Sequence, residues 1–436
     1  MKPRCLIIIG LLFFGLTSRC WSTDVSTAQR PNVVLIMADD LGYECIGFNG
    51  STQYQTPYLD QIASQGMRFI NCHAQPLCTP TRVKLMTGLS NARNYSAFSI
   101  LPRDQKTIGQ YFKQSGYRTC VAGKWQLYGA EHYASQFREK GTLPEQAGFE
   151  STCLWQVDKS GSRFFAPLMY VDGENIQFSD DQYGPKVATD YILKFMEQKR
   201  KEPFFVYYPM ILTHSPFVPT PLSKSPSNKD KQKNFADMVH YMDFTIGRIV
   251  NKVKELGLAE NTLIMFVGDN GTHTTLESKL GERVVRGGKG KTTNAGTHVP
   301  MVAYWPGVIK PGEVNDNLID MSDFLPTCLA ACRIEETNQL DGLSFFHQLV
   351  GEPGTDRKWI YCYYNPRPER TEASYFIRDT RYKLYGDDRF YDLKVDHLEN
   401  SPITQPKGDA LKAFSELRTT LDSLPTAGKK LLQFPR

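Results

Sequence analysis

Beyond its N-terminal segment the chain has no long apolar run, no dense cluster of basic residues, and no internal repeat or low-complexity tract. The first absence removes a membrane-spanning helix, which needs about 20 consecutive apolar residues. The second removes the electrostatic footprint of a nucleic-acid binder, and a formal charge of +5 over 436 residues is mild. The third removes solenoids and propellers. Histidine is scarce, at 8 residues, and no His/Cys cluster has metal-ligand spacing, which argues against zinc. Cysteine is sparse too. Ten occur: Cys5, Cys20, Cys45, Cys72, Cys78, Cys120, Cys153, Cys328, Cys332 and Cys362. That density is too low for a scaffold held together by bridges, and connectivity cannot be read from the sequence.

What is present is ordinary globular composition, 41% hydrophobic and 22% charged, long enough for a large core and a second, smaller unit. Met1–Ser22 reads as an export signal. Lys2 and Arg4 precede the apolar stretch Cys5–Leu16, and Cys20 and Ser22 make a small-x-small site with cleavage after Ser22. Arg19 disfavours a lipid-anchored Cys20. The expected destination is a periplasm or the cell exterior.

Apolar runs then recur, each followed by polar or charged residues. Asn32–Met37 ends in Asp39-Asp40, Thr119–Ala122 in Gly123-Lys124-Trp125-Gln126, Phe204–Tyr208 in the His214 segment, and Thr262–Val267 in Asp269-Asn270-Gly271. Met67–Ile70 leads to Cys78, and Pro300–Trp305 closes the series. Helical spacing separates the runs, at Thr56–Gly66, Ile108–Gly116, Val187–Lys199 and Asn234–Leu256. This alternation predicts an α/β fold with a large, mostly parallel or mixed central sheet flanked by helices. Tyr128–Asp181 reads as a loop-rich, aromatic lid or rim. From about Lys358 short strand-like runs and the helical pattern Ala410–Leu421 predict a small C-terminal antiparallel sheet with a helix. The expected division is 1–22 signal, 23–355 α/β domain, 356–436 C-terminal subdomain.

The segment Cys78-Thr79-Pro80-Thr81-Arg82, continuing through Gly88, is the chemical centre. Pro80 suits the first turn of a helix, and Val83, Leu85 and Met86 suit its buried body. Cys78 would then sit at a helix N-terminus, where free N–H groups favour an anion or an activated nucleophile. Taken alone, a cysteine is more often a small buried hydrophobe. Asp39, Asp40, Asp269 and Asn270 offer hard oxygens at the carboxyl ends of buried strands, a set that suits Ca²⁺ or Mg²⁺. Either dipeptide alone would read as a turn. Lys124, His214 and the glycine-flanked Lys289 add positive charge and a proton donor. Lys279, Arg283, Arg286 and His298 would suit a polyanion if they line the mouth, and otherwise form a solvated basic face.

Cys-x-Pro-x-Arg resembles the sulfatase signature, and the likeness runs from Pro31 through Gly307 and again over Arg378–Leu384. The chain is similar to formylglycine-dependent, arylsulfatase-like members of the alkaline-phosphatase-like superfamily. The resemblance implies that Cys78 is oxidised to formylglycine (3-oxoalanine) by a separate maturation enzyme. It implies that Asp39, Asp40, Asp269 and Asn270, with residue 78, hold one Ca²⁺ per subunit, Mg²⁺ fitting less well. Arg82 would bind the formylglycine hydrate, Lys124 the sulfate and formylglycine, His214 the leaving oxygen, and Lys289 the sulfate. One hydroxyl of the hydrate would attack sulfur, and loss of the second hydroxyl's proton would expel sulfate. Gln126 departs from the family's Gly-Lys-Trp-His motif. It can hydrogen-bond but cannot take a proton near neutral pH.

The implied substrate is a sulfated carbohydrate or aryl sulfate. Two other activities stay open on the sequence: a phosphodiesterase or phosphonate monoester hydrolase of the same superfamily, and a non-catalytic sulfated-glycan binder with unmodified Cys78. Neither nucleic acid nor an integral membrane location is expected.

Overall fold

Seven consecutive buried residues, Asn32–Ala38, form a strand that can only lie between two covered faces. The computed structural model describes residues 30–199 and 201–425, so the predicted export signal lies outside the described residues. The strands in chain order are β1 (Asn32–Ala38), β2 (Met67–His73), β3 (Arg118–Lys124), β4 (Ser151–Trp155), β5 (Leu168–Val171), β6 (Glu174–Gln177), β7 (Phe204–Pro209), β8 (Thr262–Gly268), β9 (Glu277–Leu280), β10 (Arg283–Arg286), β11 (Met301–Tyr304) and β12 (Glu313–Asp320). Ten of them make one mixed sheet in the order β12-β2-β11-β8-β1-β7-β3-β4-β5-β6. The run β8-β1-β7-β3-β4 is parallel throughout.

Side chains of β1 alternate between two cores. Val33, Leu35 and Met37 face one side, with the helices Cys78–Thr87, Ile108–Gln114 and Phe324–Ala331. Val34, Ile36 and Ala38 face the other, with Pro57–Ser64, Gly184–Glu197 and Lys231–Glu255. The period-2 alternation of a strand thus feeds two helical layers.

Three sequence expectations change. Tyr128–Asp181 carries β4, β5 and β6 and widens the sheet; these strands are short and interrupted by Gly173 at positive φ, so no long apolar run announced them. The run Pro300–Trp305 is antiparallel to both its neighbours rather than one more parallel strand. His298 is half-buried in a stack between Tyr43 and His73, whereas Lys279, Arg283 and Arg286 lie exposed on the β9–β10 hairpin, so the four do not form one solvated basic face.

The predicted C-terminal sheet is present: β13 (Ile360–Tyr364), β14 (Ser374–Arg378), β15 (Tyr382–Tyr385) and β16 (Phe390–Asp392), all antiparallel. The helix Asp409–Ser423 lays Ala413, Leu417 and Leu421 on it. Lys84, within the Cys78 helix, ties the two sheets. Its ammonium donates to Asp320 Oδ2 of β12 at 2.7 Å and to the carbonyl of Tyr361 in β13 at 3.2 Å. Among the described residues no helix is long and apolar enough to cross a membrane, and the eight described cysteines are all free thiols.

Candidate active site

Because β8, β1, β7 and β3 run parallel, the residues just beyond their carboxyl ends collect at one edge. Ala38 pairs with Gly268, so Asp39 and Asp269 emerge side by side, and the Asp269 N–H donates to the carbonyl of Ala38 at 2.9 Å. Lys124 ends β3, and His214 lies shortly after β7. Gly123 places Lys124: its φ is +127°, and a Cβ there would lie 2.0 Å from the carbonyl oxygen of Pro209. Asp40 holds φ at 60°, rare for a residue with a side chain, and its N–H donates to Asp269 Oδ1 at 3.0 Å.

The Cys78–Thr87 helix arrives from the other direction. Leu77 is its N-cap, Cys78 its first residue, and Gly88 ends it in the left-handed conformation. All ten of its residues are buried. Arg82 donates twice to Asp269 Oδ2, from Nε at 3.3 Å and Nη2 at 3.1 Å, and from Nη1 to the carbonyl of Lys124 at 2.9 Å. Lys124 Nζ donates to Asp39 Oδ2 at 2.8 Å, and Lys289 Nζ to Asp40 Oδ2. Asn270 Nδ2 donates to Asp40 Oδ1 at 2.9 Å. All ten sequence-predicted residues therefore meet at this edge: Cys78 Sγ donates to Gln126 Oε1 at 3.4 Å, and Lys289 Nζ reaches His214 Nε2 at 2.9 Å.

Charge governs the protonation states. Burial alone would raise Asp39 and Asp40, but the charges around them override it: Lys124, with Arg82 and Lys289, at Asp39, Lys289 with Lys124 at Asp40, and His214 at both once it is protonated, so both carboxyls are held below the ordinary carboxylate range. Burial, and then repulsion from Asp39, push Asp269 up. Arg82 sets against this a double contact on one oxygen, and Arg82 itself is held protonated by Asp269 and Asp39. The ion pair is the state this geometry describes. Burial raises the Cys78 thiol, so it is not a ready thiolate despite its helix N-terminus. His214 is pushed down to about 4, chiefly by burial, and is neutral at pH 7. Its Nδ1 lies 2.6 Å from the carbonyl of Ser215 and 2.8 Å from Arg163 Nη1, neighbours that ask opposite things of one nitrogen. A neutral ring with the proton on Nδ1 leaves Nε2 to accept from Lys289.

Two buried oxygens, Asp39 Oδ1 and Asn270 Oδ1, have no hydrogen-bond partner. Unpaired buried oxygens are costly, about 1–3 kcal/mol each. Ligand atoms of Asp39, Cys78 and Asp269 lie within 4.8 Å of one another, as do those of Asp39, Asp40 and His214. Orphaned hard oxygens in a carboxylate-rich cluster fit a hard divalent cation. Without one, three carboxylates (Asp39, Asp40, Asp269) face three cations (Arg82, Lys124, Lys289).

Sequence reasoning missed three neighbours. Arg163 stacks its guanidinium on Trp155, 3.9 Å from the ring centroid, and reaches His214. Tyr133 accepts from Gln126 Nε2 at 3.0 Å, and Gln156 Nε2 also approaches it at 3.4 Å. All three come from the segment read as a lid; only the aromatic content around Trp155 hinted at them.

Fixed positive charge around a nucleophile position, with room for a cation beside it, suits an enzyme that hydrolyses esters of a tetrahedral oxyacid. A family model described as Sulfatase matches residues 31–334, and a second, N-sulphoglucosamine sulphohydrolase, C-terminal, matches 291–424. The chain belongs to the sulfatase family and is a sulfuric ester hydrolase. It is 29% identical to arylsulfatase A of Homo sapiens over 396 residues, 83% of this chain and 76% of that one. It is 27% identical to N-acetylgalactosamine-6-sulfatase of Mus musculus over 372 residues, 76% of this chain and 69% of that one. Among solved structures, Ps i-CgsB in complex with k-i-k-neocarrahexaose matches with a TM-score of 0.75 at 25% identity, over 90% of this chain and 92% of that one. A phosphonate monoester hydrolase of Agrobacterium radiobacter shares the fold, with a TM-score of 0.70 at 19% identity over 90% and 95% of the two chains.

Proposed function

We propose that this sulfatase removes sulfate from a sulfated carbohydrate or aryl sulfate with a nucleophile carried at position 78 and a divalent cation, Ca²⁺ rather than Mg²⁺, held by Asp39, Asp40, Asp269 and Asn270 beside it. The observation that supports this most is the closeness of Cys78 Sγ to the Asp39 and Asp269 carboxylates, within 4.8 Å. Oxidation of Cys78 to formylglycine by a separate maturation enzyme would supply the geminal hydroxyls that the thiol lacks. Once bound, the cation would supply Lewis-acid stabilisation at a sulfate oxygen.

The chain's own residues do the rest. Arg82 and Lys124 are fixed by Asp269 and Asp39 and bring positive charge beside residue 78. Lys289 is the most accessible of the three cations and binds the sulfate group. The leaving oxygen needs a proton, and neutral His214 can deliver one only if resupplied. Lys289, held protonated and 2.9 Å from Nε2, is the adjacent store. Gln126 holds its amide oxygen toward residue 78 because Tyr133 takes the amide nitrogen. It therefore orients a hydroxyl there rather than abstracting its proton.

On this reading the protein is exported to a periplasm or the cell exterior with cleavage near Ser22. Residues 23–355 form the catalytic domain and 356–436 a C-terminal subdomain. The test is sulfate release from 4-nitrophenyl sulfate and a panel of sulfated saccharides by protein co-expressed with a formylglycine-generating enzyme. Activity should vanish in Cys78→Ala and track the aldehyde content of the residue-78 peptide. Faster turnover of phosphodiesters, or saccharide binding without turnover by fully matured protein, would sink the proposal.

A further inference from the structure

A cleft of about 420 Å³ lies between the C-terminal sheet, the end of β2 and the Asn294–Thr297 turn. Arg378, Arg381, Lys394, His73, Asn71 and Asn294 contribute to its lining, and among the described residues no carboxylate does. None of the ten active-site residues lines it. Its basic lining is not an exposed face of the ordinary kind, because the charge at its base is buried.

Arg378 is 3% exposed. Two other buried arginines, Arg82 and Arg357, are each neutralised by an aspartate, Asp269 and Asp323. Arg378 hydrogen-bonds only to neutral acceptors, Asn294 Oδ1 at 2.9 Å and the carbonyls of Asp379 at 2.9 Å and Thr380 at 3.3 Å; the Asp379 and Glu399 carboxylates act on it from beyond ion-pair contact. These use three of the five guanidinium N–H donors. A buried charge without a counter-charge is costly, and the usual remedy is a paired anion. Beside it His73, 2% exposed, has no partner at either ring nitrogen. Its ring stacks on His298 with centroids 4.9 Å apart, so the imidazole is fixed in place. At the rim Lys394 is exposed, and Arg381 is anchored by Asp392 at 2.6 Å.

We infer that this cleft is a second anion site, which binds a tetrahedral oxyanion of the sulfate type against Arg378, with Lys394 and Arg381 at its rim. The anion supplies the direct ion pair that Arg378 lacks and accepts from its two spare N–H donors. The same chemistry is offered by free inorganic sulfate and by a sulfate group on a longer glycan. The site does not depend on the hydrolytic reading, since none of its residues takes part there.

Equilibrium dialysis with radiolabelled inorganic sulfate tests this on the full chain. Lys289→Ala protein, weakened at the active site, should still bind one sulfate with a Kd of about 1 mM or tighter. Adding Lys394→Glu, an exposed change that leaves the fold intact, should weaken that binding about tenfold, and Arg378→Gln should abolish it. A heparin hexasaccharide forms the second arm. Sensitivity to both changes with the hexasaccharide but no binding of inorganic sulfate assigns the site to glycan sulfate; binding of the free ion assigns it to that ion. The inference is overturned if neither probe binds Lys289→Ala protein, or if Lys394→Glu leaves the binding of both unchanged.

Discussion

Replacing Asp39 by asparagine should cost stability and cation response together. The Asp39 carboxylate is wholly buried, 2.8 Å from Lys124 Nζ and 3.8 Å from Arg82 Nη2. The amide is nearly isosteric, so packing is kept, but Lys124 is left buried without its partner. Breaking a buried pair in this way costs about 3–5 kcal/mol, a large share of a total stability of roughly 5–15 kcal/mol. Urea unfolding followed by tryptophan fluorescence should show a lower midpoint at unchanged slope. The pH dependence has a definite sign. The folded-state pKa of Asp39 is depressed, so its contribution is present above the ordinary carboxylate value and is lost as pH falls through the folded value. The gap between wild type and Asp39→Asn should therefore close in strong acid. Ca²⁺ at a hundredfold excess over its Kd should stabilise wild type by about 2.7 kcal/mol and Asp39→Asn by far less. An Asp39→Asn protein that unfolds within about 1 kcal/mol of wild type at pH 7, or that keeps the full Ca²⁺ increment, would refute the charge balance drawn here.

Lys289→Ala should lower kcat/KM on 4-nitrophenyl sulfate by about 10²–10³, the usual cost of removing one donor to a developing anion, and should also lower the unfolding midpoint, because buried Asp40 loses its paired cation. Gln126→Ala should lower kcat about 10–100-fold, as expected for one hydrogen bond to a charged group, and Tyr133→Phe should fall in the same direction by less, through loosened Gln126. Asp243 caps the helix Pro57–Ser64 by accepting from Tyr58 N at 3.0 Å and Leu59 N at 2.8 Å, and burial pushes its carboxyl up to about 7. A raised folded pKa means the native state binds the proton more tightly. Stability should thus fall by about 2–4 kcal/mol as pH rises from 4 to 7, and urea midpoints of Asp243→Asn should be flatter across that window.

Much of this was legible because the strands that carry the site are buried on both faces. Asn32–Ala38, Phe204–Pro209 and Thr262–Gly268 are buried throughout and almost wholly apolar, and their parallel pairing follows from the helices between them. Once they are parallel, Asp39, Asp40, Asp269, Asn270 and His214 have to share an edge. β9 and β10 have half-exposed, charged sequences with no periodic signal, and β12 keeps only its last residues in the core, so none of the three stood out. Arg163, Tyr133 and Gln156 were invisible for a different reason. They reach the pocket from irregular backbone, where no period says which way a side chain points. The opposite demands on His214 Nδ1 are likewise a matter of ångströms rather than of spacing.

Lys84 gives the Cys78 helix anchors far downstream, Asp320 and Tyr361. A ribosome delivers those anchors long after residue 78 has left it. Until they arrive, the helix lacks two of its tethers, and a thiol that ends 2% exposed is still within reach of a modifying enzyme. Chain order thereby sets a time window: any modification of residue 78 that needs an accessible thiol has its best access during synthesis or transit, before the two Lys84 tethers form.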